Sequence, residues 1–135
     1  MSGGFLRIVV ALVILAHGIG HVLFLAPCLG MTQWGPAAHS WLLTRTLGDG
    51  LTRAIGALLW LAVIAGFVAA GIGLLGLQAW WRPVAIGSAG VSLLALALFA
   101  SGISRQPLLS AGLMDIAILV ALVWIHWPSV DVVGA

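Results

Sequence analysis

The stretch LRIVVALVILAHGIGHVLFLA, from Leu6 to Ala26, is apolar over its whole length except for Arg7 and two histidines. A helix needs about 20 apolar residues to cross the ~30 Å hydrocarbon core of a bilayer. Lipid offers no hydrogen-bond partners, so a chain inside it must satisfy its own backbone groups, as a helix does. The stretch therefore predicts a transmembrane helix with His17 and His21 at depth.

The composition of the whole chain agrees with this prediction. Of its 135 residues, 63% are hydrophobic and only 6% are charged, and the mean hydropathy is +1.25. Soluble domains carry roughly a quarter charged residues, so this chain lacks the polar material to coat a globule. The five arginines are scattered rather than clustered, which argues against a nucleic-acid partner. The expected environment is a lipid bilayer.

Four segments are long and apolar enough to span, and together they predict one transmembrane domain over residues 1–135. The fold class expected is all-α, an integral membrane antiparallel four-helix bundle. Prolines bound several of the segments, since they end or begin helices. The four predicted spans are residues 6–26, 51–77, 84–100 and 108–127.

The first connection, residues 28–50, is longer than a plain hairpin loop requires. Ser40 is a suitable cap for a short helix and Gly48 a suitable end. We expect this helix to lie in the membrane interface, with three apolar side chains on the lipid side. These are Trp41, Leu43 and Leu47.

Four spans place both termini on one side of the membrane, here called side A, and the first and third connections on the other, side B. Tryptophans favour membrane interfaces, where their rings form a belt. Side A would carry Trp80, Trp81, Trp124 and Trp127, and side B would carry Trp34 and Trp41.

Small residues recur at spacings of three or four in the second and third spans. Such spacing lets membrane helices pack closely, either within one bundle or between subunits. We interpret them as packing residues inside the bundle. They include Gly66, Ala70, Ala85, Ser88, Ser92 and Ala95.

The two histidines lie four residues apart, so their side chains project from one face of the helix. Such a pair binds zinc in zincins, where a glutamate between the histidines acts as general base. Here Gly18, Ile19 and Gly20 lie between them. The alternative is a pair of neutral imidazoles hydrogen-bonded to neighbouring helices, which we favour. We expect no haem, because His17 and His126 lie at different depths in their spans.

Asp115 is the costliest residue in the chain, because an unpaired carboxylate in a membrane must protonate or find a partner. Counted from side B, Asp115 and His21 both lie roughly 10 Å deep, so we expect a direct or water-bridged hydrogen bond between them. Arg53 is expected to bend inward to the same layer, or to act as a snorkelling anchor. The predicted buried polar network is His17, His21, Asp115 and Arg53. The first three are also the candidate metal ligands.

A family resemblance rests on LRIVVALVILAHGIGHVLFL, TRAIGALLWLAVIAGFVAA and WWRP, followed by a polar residue early in the fourth span. The chain resembles a family of small bacterial four-span membrane proteins of uncharacterised activity, and more distantly the DoxX-like proteins. The family's first helix ends in a similar H-G-x-x-H, matched by His17, Gly18 and His21. Gly56 and Trp60 match a G-x-L-W motif with one extra residue between them. The resemblance implies a four-helix bundle, associated in some DoxX-like proteins with redox partners.

Three functions remain open from the sequence. The leading hypothesis is a non-catalytic accessory or assembly subunit of the bacterial inner membrane, working with a second copy of itself or with other membrane subunits. The second is a metal-binding or redox-linked protein that uses His17, His21 and Asp115 with a transition metal. The third is a small proton-coupled transporter. An enzyme is the less favoured expectation, and no resident cofactor is expected beyond the possible metal.

Overall fold

The computed structural model describes residues 3–32 and 37–134. Over these ranges the chain forms six α-helices, and a π-helical turn, Val120–Trp124, continues the fifth. The helices are α1 (Gly3–Gly20), α2 (Val22–Cys28), α3 (Leu43–Leu75), α4 (Trp81–Phe99), α5 (Arg105–Leu119) and α6 (Val130–Val133).

Four helical segments are long and apolar enough to cross a membrane, as the sequence predicts. The fourth ends at Trp124, three residues before the predicted boundary. The third and fourth begin before their prolines rather than after them. Pro83 and Pro107 each lie in the first turn of a helix, where the missing N–H group would have no partner anyway. The segments are Gly3–Cys28, Leu43–Leu75, Trp81–Phe99 and Arg105–Trp124.

The short helix expected in the first connection forms as the first part of α3 and joins the rest of that helix at a bend. Ser40 Oγ accepts a hydrogen bond from the backbone N–H of Leu43 at 3.1 Å and donates one to the Leu98 carbonyl oxygen at 2.6 Å. The break comes at Gly48, whose φ of 79° and ψ of 172° only glycine adopts readily. The helix that begins at Leu43 is therefore bent at Gly48, as the glycine predicts.

The helices pack in chain order: α1 against α3, α3 against α4, and α4 against α5. Two groups of buried side chains fill the space between them. One is centred on Val63, Phe67 and Trp81, and the other on Trp60 and Phe99. By contrast, α1 and α5 make little direct contact, and a groove separates them.

The tryptophans follow the expected belt in part. The prediction that Trp81 belongs to the belt is wrong, because this side chain is fully buried, in the same core group as Val133. It begins α4, so its side chain turns inward with the first helical turn. On the other side, Trp41 donates from Nε1 to the Ala97 carbonyl oxygen at 2.9 Å, whereas Trp34 lies outside the described residues. The exposed members among the described residues are Trp41, Trp80, Trp124 and Trp127.

Candidate functional site: a buried histidine, serine and aspartate cluster

Asp115 is fully buried on α5, and one of its two direct partners is His17 on α1. His17 Nε2 lies 2.7 Å from Asp115 Oδ1, a short distance typical of a hydrogen bond that involves a charged group. The His17 side chain is 9% exposed. This bond joins two helices that otherwise leave a groove between them.

His21 reaches the same carboxyl group through Ser92 on α4. His21 Nε2 lies 2.9 Å from Ser92 Oγ, and Ser92 Oγ lies 2.5 Å from Asp115 Oδ2. The sequence predicted a direct or water-bridged bond from His21 to Asp115. The structure gives the direct bond to His17 instead, and the hydroxyl of Ser92 stands where a bridging water was considered.

The other ring nitrogen of His21 bonds to the backbone of its own helix. His21 Nδ1 donates to the His17 carbonyl oxygen at 2.9 Å. In an unbroken α-helix that carbonyl would accept from the backbone N–H of His21. That N–H instead bonds the Gly18 carbonyl oxygen at 3.2 Å, and α1 ends at Gly20 while α2 starts at Val22. The imidazole therefore takes the acceptor that the amide of the same residue leaves at the helix break.

These contacts determine how many protons the cluster holds. His21 Nδ1 carries a proton, since a carbonyl oxygen can only accept. The two contacts of Ser92 need two protons, and its hydroxyl supplies one of them. The second comes either from His21 Nε2, giving an imidazolium and a carboxylate, or from Asp115 Oδ2, giving two neutral groups. With His17 neutral, the cluster has no net charge in either arrangement, as a low dielectric favours.

Aromatic rings enclose His21, which is 1% exposed. Its ring centroid lies 5.6 Å from that of Phe24, 5.8 Å from Trp60 and 5.9 Å from Phe67. The His17 and His21 rings meet edge to face at 4.7 Å. Apolar walls make each hydrogen bond of the cluster costly to lose, because a freed polar group finds no water there.

The cluster also contains a metal-ligand set. One ligand atom each from His17, His21 and Asp115 lies within 4.8 Å of the other two. Because His21 Nδ1 is bonded to a backbone carbonyl oxygen, Nε2 is the nitrogen left to bind a metal. Metal-binding histidines usually bond their other ring nitrogen in this way. Tetrahedral ligands about 2.1 Å from zinc lie about 3.4 Å apart, so the set would have to rearrange. A metal would also displace the protons that now join these atoms.

Arg53 lies apart from the predicted network, which is a correction to the sequence interpretation. Its Nε donates to the Cys28 carbonyl oxygen at 3.2 Å. Among the described residues, none of its hydrogen bonds reaches His17, His21 or Asp115. Arg53 lies five residues after the bend at Gly48 and is exposed, and its guanidinium fastens α3 to the end of α2 rather than turning inward.

A groove runs along the seam between α1 and α5, and the cluster forms part of its floor. Its wider part has a volume of about 450 Å³ and contains His17, His21 and Ser110 among its lining residues. A second part of about 270 Å³ continues past Val13 and Met114 toward Leu6 and Trp127, and its lining is almost wholly apolar. We call these two parts together the α1–α5 groove.

Sequence reasoning missed the role of Ser92, which it interpreted as a packing residue. The available signal was a hydroxyl group deep in an apolar helix, because such a group needs a partner. Ser88 carries the same signal, yet it donates only to the carbonyl oxygen of Val84 in its own helix, at 2.8 Å. The depth of a serine within its apolar helix therefore could not decide which of the two serines joins the cluster.

Comparisons of the chain with protein-family models, with curated proteins and with solved structures give no match.

Proposed function

We propose that the chain is a multi-pass protein of the bacterial inner membrane, crossing it four times as an antiparallel four-helix bundle related to the DoxX-like proteins. The four apolar helical segments support the insertion. Leu12, Leu58 and Leu113, on three different helices, are each more than half exposed. Lipid is the solvent in which such surfaces are stable.

Cysteine labelling tests this topology in a Cys28→Ala background. Cysteines at Gln78 and Ser129 should react with an impermeant maleimide from one side of the membrane. Cysteines at Thr46 and Ser104 should react only from the other side. A split within either pair would contradict the four-span arrangement.

Within this membrane protein, the cluster acts as a polar latch in a non-catalytic accessory or assembly subunit. The observation that carries this proposal is that the bonds close on themselves. They run from the His17 ring through Asp115, Ser92 and His21, and return to the His17 carbonyl oxygen. The ring joins α1, α4 and α5, and each polar atom on this path has its partner inside the protein. Bonds of this kind hold membrane helices together where the hydrophobic effect does not.

A partner surface for such a subunit is available on the outer face of α5. The fourth span is the least covered of the four: 17% of the residues in its apolar stretch are buried, against 33–39% in the other three spans. Its outward side chains repeat at three and four residues and are all apolar. They are Leu109, Leu113, Ile116, Val120 and Val123.

Native mass spectrometry from lipid nanodiscs tests the assembly role. We expect the chain to appear as a homo-oligomer or with another membrane subunit. The double variant Leu113→Ser with Ile116→Ser should return it to a single chain. The control Leu12→Ser, on the exposed side of α1, should keep the assembly. A chain that is monomeric in native lipid would contradict the proposal.

The closed course of the hydrogen bonds weighs against a proton-coupled transporter. A proton pathway must lead toward both sides of the membrane. Here the hydrogen bonds start at the His17 ring and return to the His17 carbonyl oxygen, so they form a closed path. The rings of Phe24, Trp60 and Phe67 enclose His21.

Metal binding is the second candidate function, because two imidazoles and a carboxylate converge within 4.8 Å. This donor set suits zinc or iron. Protein purified in detergent would then hold about one ion per chain. Asp115→Asn removes a ligand while preserving the hydrogen bonds, and should abolish that binding. His126→Ala, at an exposed position, is the control. Stoichiometric metal that follows this pattern would replace the latch as the role of the cluster.

A further inference from the structure

We propose that the α1–α5 groove binds a lipid-soluble alcohol whose hydroxyl group donates a hydrogen bond to His17 Nδ1. The inference goes beyond the latch and the partner surface, and it holds whether or not the protein assembles with others. Three features of the groove carry it: the free nitrogen, the polarity of its wider part and the apolar extension.

The first feature is the state of His17. Its side chain is 9% exposed and lines the wider part of the groove. Its Nε2 is bonded to Asp115, but its Nδ1 makes no hydrogen bond to any described residue. Of the four ring nitrogens in the two histidines, this is the one without a partner in residues 3–32 and 37–134.

The second feature is that His17 Nδ1 is an acceptor. In both proton arrangements of the cluster Asp115 Oδ1 accepts, so His17 Nε2 carries the proton and the neutral ring leaves a lone pair on Nδ1. Ser110 Oγ, also on the lining, donates to the Pro107 carbonyl oxygen at 3.2 Å and keeps only acceptor capacity. The polar end of the groove therefore favours a ligand that donates, which a hydroxyl does and an ether or ester does not.

The third feature is the shape of the rest of the groove. From His17 to Leu6 the helix rises about 16 Å, and the lining along that length is apolar. Val13 at the rim is 43% exposed, so the groove opens toward the surroundings of the bundle rather than closing over. An elongated apolar body with one hydroxyl at its end matches this space. Such a molecule reaches the groove sideways from the bilayer.

Farnesol is the probe, and farnesyl methyl ether, which has the same body but no donor, is its control. Binding is measured in nanodiscs on protein with nitrogen-15 in its imidazole rings. We expect farnesol to bind about fivefold more tightly than the ether, the effect of one hydrogen bond. The Nδ1 resonance of His17 should move with farnesol and stay in place with the ether.

Two matched substitutions locate the binding. Met114→Trp fills the groove without removing a member of the cluster and should abolish farnesol binding while the His17 and His21 resonances remain. Leu94→Trp, 55% exposed on α4 and outside both the groove lining and the partner surface, should bind farnesol as the natural chain does. Equal binding of the two probes, or binding unchanged by Met114→Trp, would overturn the proposal. The proposal would also be overturned if Met114→Trp dissociated a homo-oligomer in the absence of farnesol, because a second copy of the chain would then be what fills the groove.

Discussion

Gly18 on α1 lies directly against Phe67 on α3: a Cβ atom built on this glycine would come within 2.6 Å of the Phe67 Cβ. The neighbouring residue is His17, so this close approach of the two helices is one residue from the latch. Close contact between helices at small residues is the usual packing in membranes. Here it holds α1 against α3 beside the residue whose ring bonds Asp115.

Gly18→Ala should therefore separate α1 from α3 and weaken the fold. Overpacking of this kind costs about 1–3 kcal/mol of the free energy of unfolding. Unfolding in a denaturing detergent titration measures the loss. Gly20→Ala is the matched control, because nothing lies within 4 Å of its Cβ position. An equal loss in both variants would show that helix flexibility, not contact with Phe67, is the cause.

Asp115→Asn should be mild. The amide oxygen can accept from His17 Nε2, and the amide N–H can donate to Ser92, whose hydroxyl then donates to His21. Asp115→Leu breaks both contacts and should cost about 1–3 kcal/mol for each buried group left unpaired. The same detergent titration compares them, with Asp131→Asn at an exposed position as the control. If the asparagine and leucine variants were equally unstable, the carboxylate charge would be the essential property.

Ser92→Ala should destabilise the protein by about 1–3 kcal/mol, because it leaves His21 Nε2 and Asp115 Oδ2 without their common partner. Ser88→Ala lies one turn away and removes only a bond within α4, so its effect should stay within about 0.5 kcal/mol. The readout is again unfolding in detergent. The His21 ring resonances should shift in the first variant only. If Ser92→Ala and Ser88→Ala were equally stable, Ser92 would not contribute to the latch.

Gly48→Ala should strain the bend at the start of α3, since its φ of 79° and ψ of 172° lie in a region that only glycine populates freely. The expected cost is about 1–3 kcal/mol, seen as a lower unfolding midpoint. Gly50→Ala, with open space at its Cβ position and no positive φ, should be neutral or stabilising by up to about 1 kcal/mol. A Gly48→Ala protein as stable as the natural chain would mean that the bend can straighten without cost.

The spans could be predicted because length and hydropathy determine them, whereas the pairing inside the core depends on where each helix begins. The sequence interpretation began the fourth span at Leu108, after Pro107, and matched Asp115 with His21. The helix begins at Arg105, three residues earlier. Asp115 is then about 15 Å into its helix, close to the depth of His17, which is about 16 Å from the end of α2. One helical turn thus changed the direct partner of the carboxylate.

The role of Ser92 could not be predicted for a different reason. Rotation of α4 about its own axis decides which serine faces the cluster, and both Ser88 and Ser92 lie on its buried side. Packing of Gly66 against Ser88 sets that rotation through contact with α3. Such contacts involve residues far apart in the chain, and a single sequence does not reveal them. The break after Gly20 was missed likewise, because glycines in membrane helices are frequent and do not by themselves end a helix.

At the His17 carbonyl oxygen, the His21 side chain replaces the His21 backbone amide as hydrogen-bond donor, and this replacement has a consequence for the first span. While His21 Nδ1 donates to this oxygen, the backbone N–H of His21 bonds Gly18, and the regular α-helix is interrupted between Gly20 and Val22. If the imidazole is withdrawn, the oxygen becomes free for the amide, and the regular α-helical hydrogen bond can form. The backbone conformation at the junction of α1 and α2 is therefore coupled to the side-chain bonds at the centre of the molecule.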